Sequence, residues 1–547
     1  MLVIGGGITG AGVALDAAAR GLSVALVEQA DFAEGTSSRS TKLVHGGLRY
    51  LPMLDIAQVR EDLFERDRLL LNAPHLVRPL PFVLPLYSGA MRPLGLRLPS
   101  ALRPLLPLGV AGGLWAYDLL ARGAGGRGPT RMRRHRRLTA EGAAALVPPL
   151  RLGGLRRAYL YYDAAVDDAR LTVTVLRTAL GCGAVIMNYV RAVGLVADHG
   201  RVAGARLHDL RSGEALTVAA GTTVNATGAW AESVAALAGR PSFRIRRSKG
   251  VHLVVSGARL RLGRAALVLP ETDDGRLAFL VPWQGAVLVG TTDTPWAGPP
   301  DAPAVDDCDV TYLLDHASRY LSVRLTRRDL LGVYAGLRPL VTTGRGADGN
   351  SARLSRRHEL IQSADGLITI VGGKLTTYRR MAEDVVNRVT GRPAGAASPT
   401  RNLCLEGADE LPGVWRRLRA RARGLGLSRR TLVHLVRTYG TRAAALLELA
   451  AARRDLSGLL APGYPHIGAE VVVAVRDEMA LTLADVLMRR TRLAHLLPSQ
   501  GAEIAPRVAA LVGEEMGWSA EVQRAEVAEY ARVAAVLAAP AHAGARP

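Results

Sequence analysis

The sequence predicts a mixed α/β fold, α+β overall, with three units. A doubly wound parallel-sheet domain is interrupted by an antiparallel-sheet domain and followed by a helical domain. Three observations predict it. Apolar strand-like triplets alternate with helical periodicity in the first thirty residues, short alternating runs divided by turn signals fill 193–224 with a strand-rich stretch at 243–295, and the period beyond residue 400 is mostly helical.

Leu2-Val3-Ile4 reads as a strand, Gly5-Gly6-Gly7-Ile8-Thr9-Gly10 as the turn leaving it, and the apolar run through Ala19 as a helix. Ser23–Val27 is a second strand, ending on Glu28. This arrangement holds a dinucleotide. Gly5 turns the chain out of the strand, Gly7 lets backbone N–H groups approach a pyrophosphate, and Gly10 lets helix and strand pack closely. Glu28, at the strand end, is placed to accept hydrogen bonds from ribose hydroxyls, and no arginine follows it to favour a 2′-phosphate.

The glycines alone do not separate NAD from FAD. The next stretch does: Gly35-Thr36-Ser37-Ser38-Arg39-Ser40-Thr41-Lys42-Leu43-Val44-His45-Gly46-Gly47-Leu48-Arg49-Tyr50. The small hydroxyl residues Thr36, Ser37, Ser38 and Thr41 offer donors for pyrophosphate and ribityl oxygens. Gly46 and Gly47 let backbone lie against a flat ring, and Lys42 is placed among the cofactor contacts. From Val3 to Leu51 the chain resembles, almost without a break, the FAD-dependent, quinone-linked glycerol-3-phosphate dehydrogenases. Only Met1 and Leu2 precede Val3, fewer residues than such proteins usually carry, so either a clipped first strand or a misassigned start codon is expected.

The chain has 547 residues, 49% of them apolar, which suits several folded cores and not a disordered chain. Its 70 basic and 48 acidic side chains give a net charge of +22, which suits an anionic membrane surface, an anionic substrate or simply an arginine-rich exterior. Cys182, Cys308 and Cys404 are far apart, so no disulfide framework or zinc site is expected and a reducing cytoplasm is. No signal peptide is expected, because the chain begins on a cofactor strand. The longest uncharged runs, Ala215–Ala231 and Leu277–Thr292, contain glycine or proline and fall short of a membrane span.

Gln58–Leu71 reads as a charge-rich helix. The proline- and arginine-rich stretch Leu76–Leu120 reads either as amphipathic pieces lying in lipid, Leu96–Arg103 among them, or as a cover for the substrate cavity. Ala121–Arg137 reads as an exposed Gly/Arg-rich loop. Asp167 or Asp168 caps a helix, and Val193–Val224 forms a β-meander. The turn after Val224, with Thr227 and Gly228, resembles one by which FAD proteins approach the cofactor. Further segments resemble the same family: Gly250-Val251-His252, Pro282-Trp283 with Gly290-Thr291-Thr292-Asp293-Thr294, Gly336-Leu337-Arg338-Pro339-Leu340, and Val471–Arg490. A strand at Leu367–Val371 leads to Gly372 and Gly373, which offer backbone donors to the flavin at a helix start, with Leu375 and Thr376 beside them. The division expected is 1–75, 151–240 and 341–395 for a Rossmann-like FAD-binding domain, 76–150 and 241–340 for the substrate domain, and 396–547 for the C-terminal helical domain. No recognition helix for nucleic acid stands out among the C-terminal helices.

Hydride transfer from an alcohol requires a held substrate, a group that takes the hydroxyl proton, and a hydride acceptor. The resemblance implies that Arg49, Tyr50 and Arg356, or the adjacent Arg357 in its place, grip a phosphate, that Arg338 and Lys374 face the glycerol oxygens, and that His252, the neutral acceptor of the set, is the candidate base. No metal is expected. The implied activity is oxidation of sn-glycerol 3-phosphate to dihydroxyacetone phosphate, with hydride passing from C2 to flavin N5 and electrons then to a membrane quinone. The expected location is peripheral, on the inner face of the plasma membrane; the oligomeric state stays open, a homodimer being one option. An oxidase of the same substrate using oxygen, an amine or amino-acid oxidase of the same fold, and a flavoprotein serving only as a binding module are the alternatives.

Overall fold

The computed structural model describes residues 1–88, 105–124, 132–239, 241–342 and 357–540. Leu2–Ile4 sits inside a six-stranded sheet in the order Glu359–Gln362, Ile368–Val371, Thr223–Asn225, Leu2–Ile4, Ala25–Val27, Val185–Met187. Its pairs are parallel except at the Glu359–Gln362 edge. A parallel sheet is covered on both faces, and alternate residues divide accordingly. Val3, Leu26 and Ile368 pack under the helices Ile8–Ala19, Asp168–Gly181 and Tyr378–Val389. Leu2, Ile4 and Val27 face the opposite way, onto the antiparallel meander Val190–Asp198, Arg201–Asp209, Ala215–Ala219.

The second sheet has ten strands and a spine of two long antiparallel strands, Arg244–Ser256 and Leu330–Thr342. Their register sets His252 opposite Tyr334 and Ser248 opposite Arg338, while Gly290 faces His252 from the other neighbour. Arg78–Tyr87, part of the proline-rich stretch, is a strand of this sheet. Its prolines at 79, 81 and 85 are two or four residues apart, so the missing N–H groups fall on one side of the strand. Leu155–Ala165 pairs along it, although sequence places residues 151–240 with the cofactor domain. A strand's sheet is chosen by its partner, which local pattern does not specify. Leu96–Arg103 lies outside the described residues.

Beyond residue 398 the chain is helical, and buried ion pairs fasten it to the cofactor sheet. Arg490 grips Asp31 with two bonds of 2.7 and 2.8 Å, both side chains wholly buried. Among the described residues no helix is long and apolar enough to cross a membrane.

Candidate active site

The Gly-rich turn works by close approach. A Cβ on Gly10 would stand 1.9 Å from the Gly5 carbonyl oxygen, and Gly5 itself has φ +113° with Ala226 O 2.7 Å from where its Cβ would be. The helix starting at Ile8 therefore meets the strand without a gap, and its N-terminal N–H groups face a cavity of about 440 Å³. Ser37 Oγ takes one of these donors, Ile8 N, at 2.9 Å. Glu28 lies on the same wall and accepts from Gly6 N and from Ala30 N at 3.0 Å. Burial pushes its carboxyl up to about 7 even though both amides favour the charged form. Thr36, Thr227, Gly228, Gly372, Gly373 and Leu375 complete this wall.

A second cavity of about 300 Å³ adjoins the first, and both are bounded by Thr36, Arg39, Ser40, Pro339 and Gly372 to Leu375. Arg49, Tyr50, His252, Arg338 and Lys374 all reach it, from four separate segments of the chain. Thr41, Gly47 and Thr376 line it as well, and Phe82, Tyr161 and Phe279 give it an apolar side. Arg338 is held in place by Thr291 Oγ1 at 3.1 Å, Thr292 O at 3.2 Å and Asp293 at 3.3 Å. Lys374 pairs with the buried Asp62 and sits 4.3 Å from the Tyr50 ring centre. His252 is 2% exposed, stacked on Tyr334 at 4.9 Å, with Nε2 2.9 Å from Thr41 Oγ1. Burial, then Arg338 and Lys42, hold its imidazole well below the ordinary range, so it is neutral at physiological pH. The ring fits because residue 290 is glycine; a Cβ there would lie 2.2 Å from His252 Cδ2.

Residues 1–379 match the model of the FAD dependent oxidoreductase family, and residues 398–523 match the C-terminal domain of alpha-glycerophosphate oxidase. A glycerol-3-phosphate dehydrogenase of Mycobacterium leprae is 40% identical over 542 residues, covering 98% of this chain and 88% of that one. The chain belongs to the FAD-dependent glycerol-3-phosphate dehydrogenases. The human mitochondrial member is 38% identical over 97% of this chain and 72% of its own. The crystal structure of a glycerol-3-phosphate dehydrogenase from Bacillus halodurans, complexed with FAD, superposes with a TM-score of 0.78 at 29% identity, over 99% of this chain and 95% of that one.

The cofactor of this dehydrogenase family member is FAD, and the residues present fit it. The Gly5–Gly10 turn, the Ile8 helix start and Glu28 line one side of the first cavity and would hold the adenosine diphosphate half of FAD. Gly372 and Gly373, both left-handed at φ +78° and +75°, place backbone where the two cavities meet. Three expected cofactor contacts take other positions. Lys42 is buried, its ammonium 2.8 Å from Asp168 and 3.1 Å from Ser38 O, outside both cavity walls. Ser38 is buried behind the wall, and Gly46 spends its N–H on Tyr117 Oη and Asp163, at 2.9 and 3.1 Å. Arg356 lies outside the described residues. Sequence reasoning passed over the anchors Asp62 and Asp163 and read Asp168 only as a candidate helix cap, a place Asp167 takes. One signal for Asp62 was available: Asp62, Glu65, Arg66 and Leu69 recur at helical spacing and all are buried, so charges occupy the inner face of Ile56–Asn72.

Proposed function

We propose that this chain oxidises sn-glycerol 3-phosphate to dihydroxyacetone phosphate. The observation that carries the reading is the meeting of Arg49, Tyr50, His252, Arg338 and Lys374 in one cavity against the FAD cradle. FAD, when bound, supplies the hydride acceptor. Arg49 binds the phosphate, with Tyr50 packed against its guanidinium at 5.2 Å. Arg338 and Lys374, each fixed by an acidic partner, present positive charge to the C2 oxygen as it becomes an alkoxide and then a ketone. His252 takes the hydroxyl proton at Nε2, beside Thr41. Arg356 belongs to the phosphate grip in the same reading. Anaerobic addition of glycerol 3-phosphate to the yellow protein bleaches the flavin; bleaching by amino acids alone would overturn the proposal.

A membrane quinone as the acceptor, at the inner face of the plasma membrane, is favoured by one surface. The helix Leu106–Ala124 is mostly apolar, with Asp118 and Arg122 as its charged residues. Val110, Leu114 and Tyr117 face inward, and Tyr117 supports Gly46. On the other side Leu108, Trp115 and Leu119 are exposed, and Met53, Leu54 and Ile56 add to the exposed apolar surface. His135 bonds to Asp118 of this helix at 2.7 Å and so tethers the exposed Arg133, Arg134, Arg136 and Arg137 beside it. Apolar side chains flanked by arginines suit an anionic bilayer. Reoxidation of the reduced protein by a quinone analogue exceeds that by oxygen; the reverse would make it an oxidase.

A further inference from the structure

The C-terminal helical unit holds a cluster that the flavin chemistry does not use. His434 lies in the helix Arg429–Tyr439, while His466 lies just before the helix Gly468–Arg476 and Glu470 in its first turn. One ligating atom from each falls within 4.8 Å of the other two. The two imidazole rings are 4.1 Å apart. Glu470 is fully buried, and its Oε1 is fixed by Ile467 N at 2.9 Å, which turns Oε2 toward His434 Nε2 at 2.8 Å. His466 is 1% exposed, and neither ring nitrogen makes a hydrogen bond of good geometry among the described residues, the Thr491 backbone being a polar neighbour. A buried imidazole without a good hydrogen bond is costly unless something else occupies it.

We infer that His434, His466 and Glu470 form a divalent-cation site of the zinc class, separate from the active site. Two nitrogens and one carboxylate oxygen are a ligand set that zinc accepts, with water in the fourth position. Ligand atoms about 2.0–2.1 Å from a tetrahedral ion lie roughly 3.3 Å from one another, so small side-chain rotations close the site. His434 Nδ1 is 3.4 Å from Thr438 Oγ1, an outer partner that orients the ring once Nε2 is ligated. A metal there joins two helices of the C-terminal unit, and the second leads into Glu478, Arg489 and Arg490, which lock that unit to the FAD domain.

The test uses the full-length, FAD-loaded protein, stripped with a chelator, equilibrated with Zn²⁺ alone and desalted. Metal analysis finds one more equivalent bound by the wild type than by His466→Gln, whose Zn²⁺ affinity at that site falls by at least about 100-fold. Flavin absorbance is the same in both. Equal zinc in the two proteins, or none in the wild type, overturns the proposal. Co²⁺ provides a reading in the wild type alone. Tetrahedral ligand-field bands without a thiolate charge-transfer band support the site, and a thiolate band assigns the metal to Cys182, Cys308 or Cys404 instead.

Discussion

At the scale of single residues, Glu28 gives the most direct test of the cradle. Free, its carboxyl titrates near 7; facing the donor hydroxyls of a ribose, it is held ionised. Binding FAD therefore expels a proton, and affinity rises as pH rises through the free value. Between pH 6 and 8 the FAD dissociation constant falls by about tenfold, and Glu28→Gln flattens that dependence. Fluorescence titration of the apoprotein measures both. Gly10→Ala sets a methyl group against the Gly5 carbonyl and yields protein without flavin, seen as loss of yellow colour and a lowered thermal midpoint. Arg49→Ala raises KM for glycerol 3-phosphate by about 10- to 100-fold through the loss of a charge-assisted hydrogen bond, with kcat changed far less; an unchanged KM removes Arg49 from the phosphate grip. The residues legible beforehand were those whose type is imposed by a close approach, such as Gly5 and Gly10. Lys42 was not, because nothing in its neighbours' identity foretells that Asp168, 126 positions away, will take its ammonium.

At the scale of elements, the turn at 38–42 shows how distant parts fix a cavity wall. Asp168 accepts from Ser40 N at 2.9 Å, Ser40 Oγ at 2.7 Å and Lys42 Nζ at 2.8 Å, and it pairs with Arg492 from the C-terminal unit. The turn so held presents Thr41 to His252. A second buried junction joins Asp31, just after the second strand, to Arg489 and Arg490. Asp31→Asn removes the buried carboxylate that Arg489 and Arg490 share, leaving Asp485 to Arg489 and Glu478, at 3.8 Å, to Arg490, and destabilises the fold by about 3 kcal/mol, measurable by denaturant unfolding of the apoprotein. The first strands, the meander and the helix at 56–72 were legible from period and turn residues. The assignment of Leu155–Ala165 to the ten-stranded sheet was not, since an apolar strand suits either sheet.

For the whole molecule, the apolar outer face of Leu106–Ala124 and the neighbouring arginines predict reversible attachment to anionic vesicles. The double variant Leu108→Glu, Trp115→Glu weakens vesicle binding by at least about tenfold in a flotation assay, and activity with a soluble acceptor is retained. Raising the salt concentration weakens the wild type's attachment, because the arginine contribution is screened. Net charge of +22 is spread through the sequence, and only the fold shows which arginines share a surface with exposed apolar side chains.

The sequence by itself determined the dinucleotide turn, the preference for FAD and the family, because close backbone packing admits few residue types and so leaves a local record. Tertiary structure alone decided that five side chains from four segments share one cavity, and which carboxylates hold them there. It also decided that two histidines and a glutamate meet in the C-terminal unit. Convergence of distant residues depends on strand register and domain contact, and neither is encoded in local spacing.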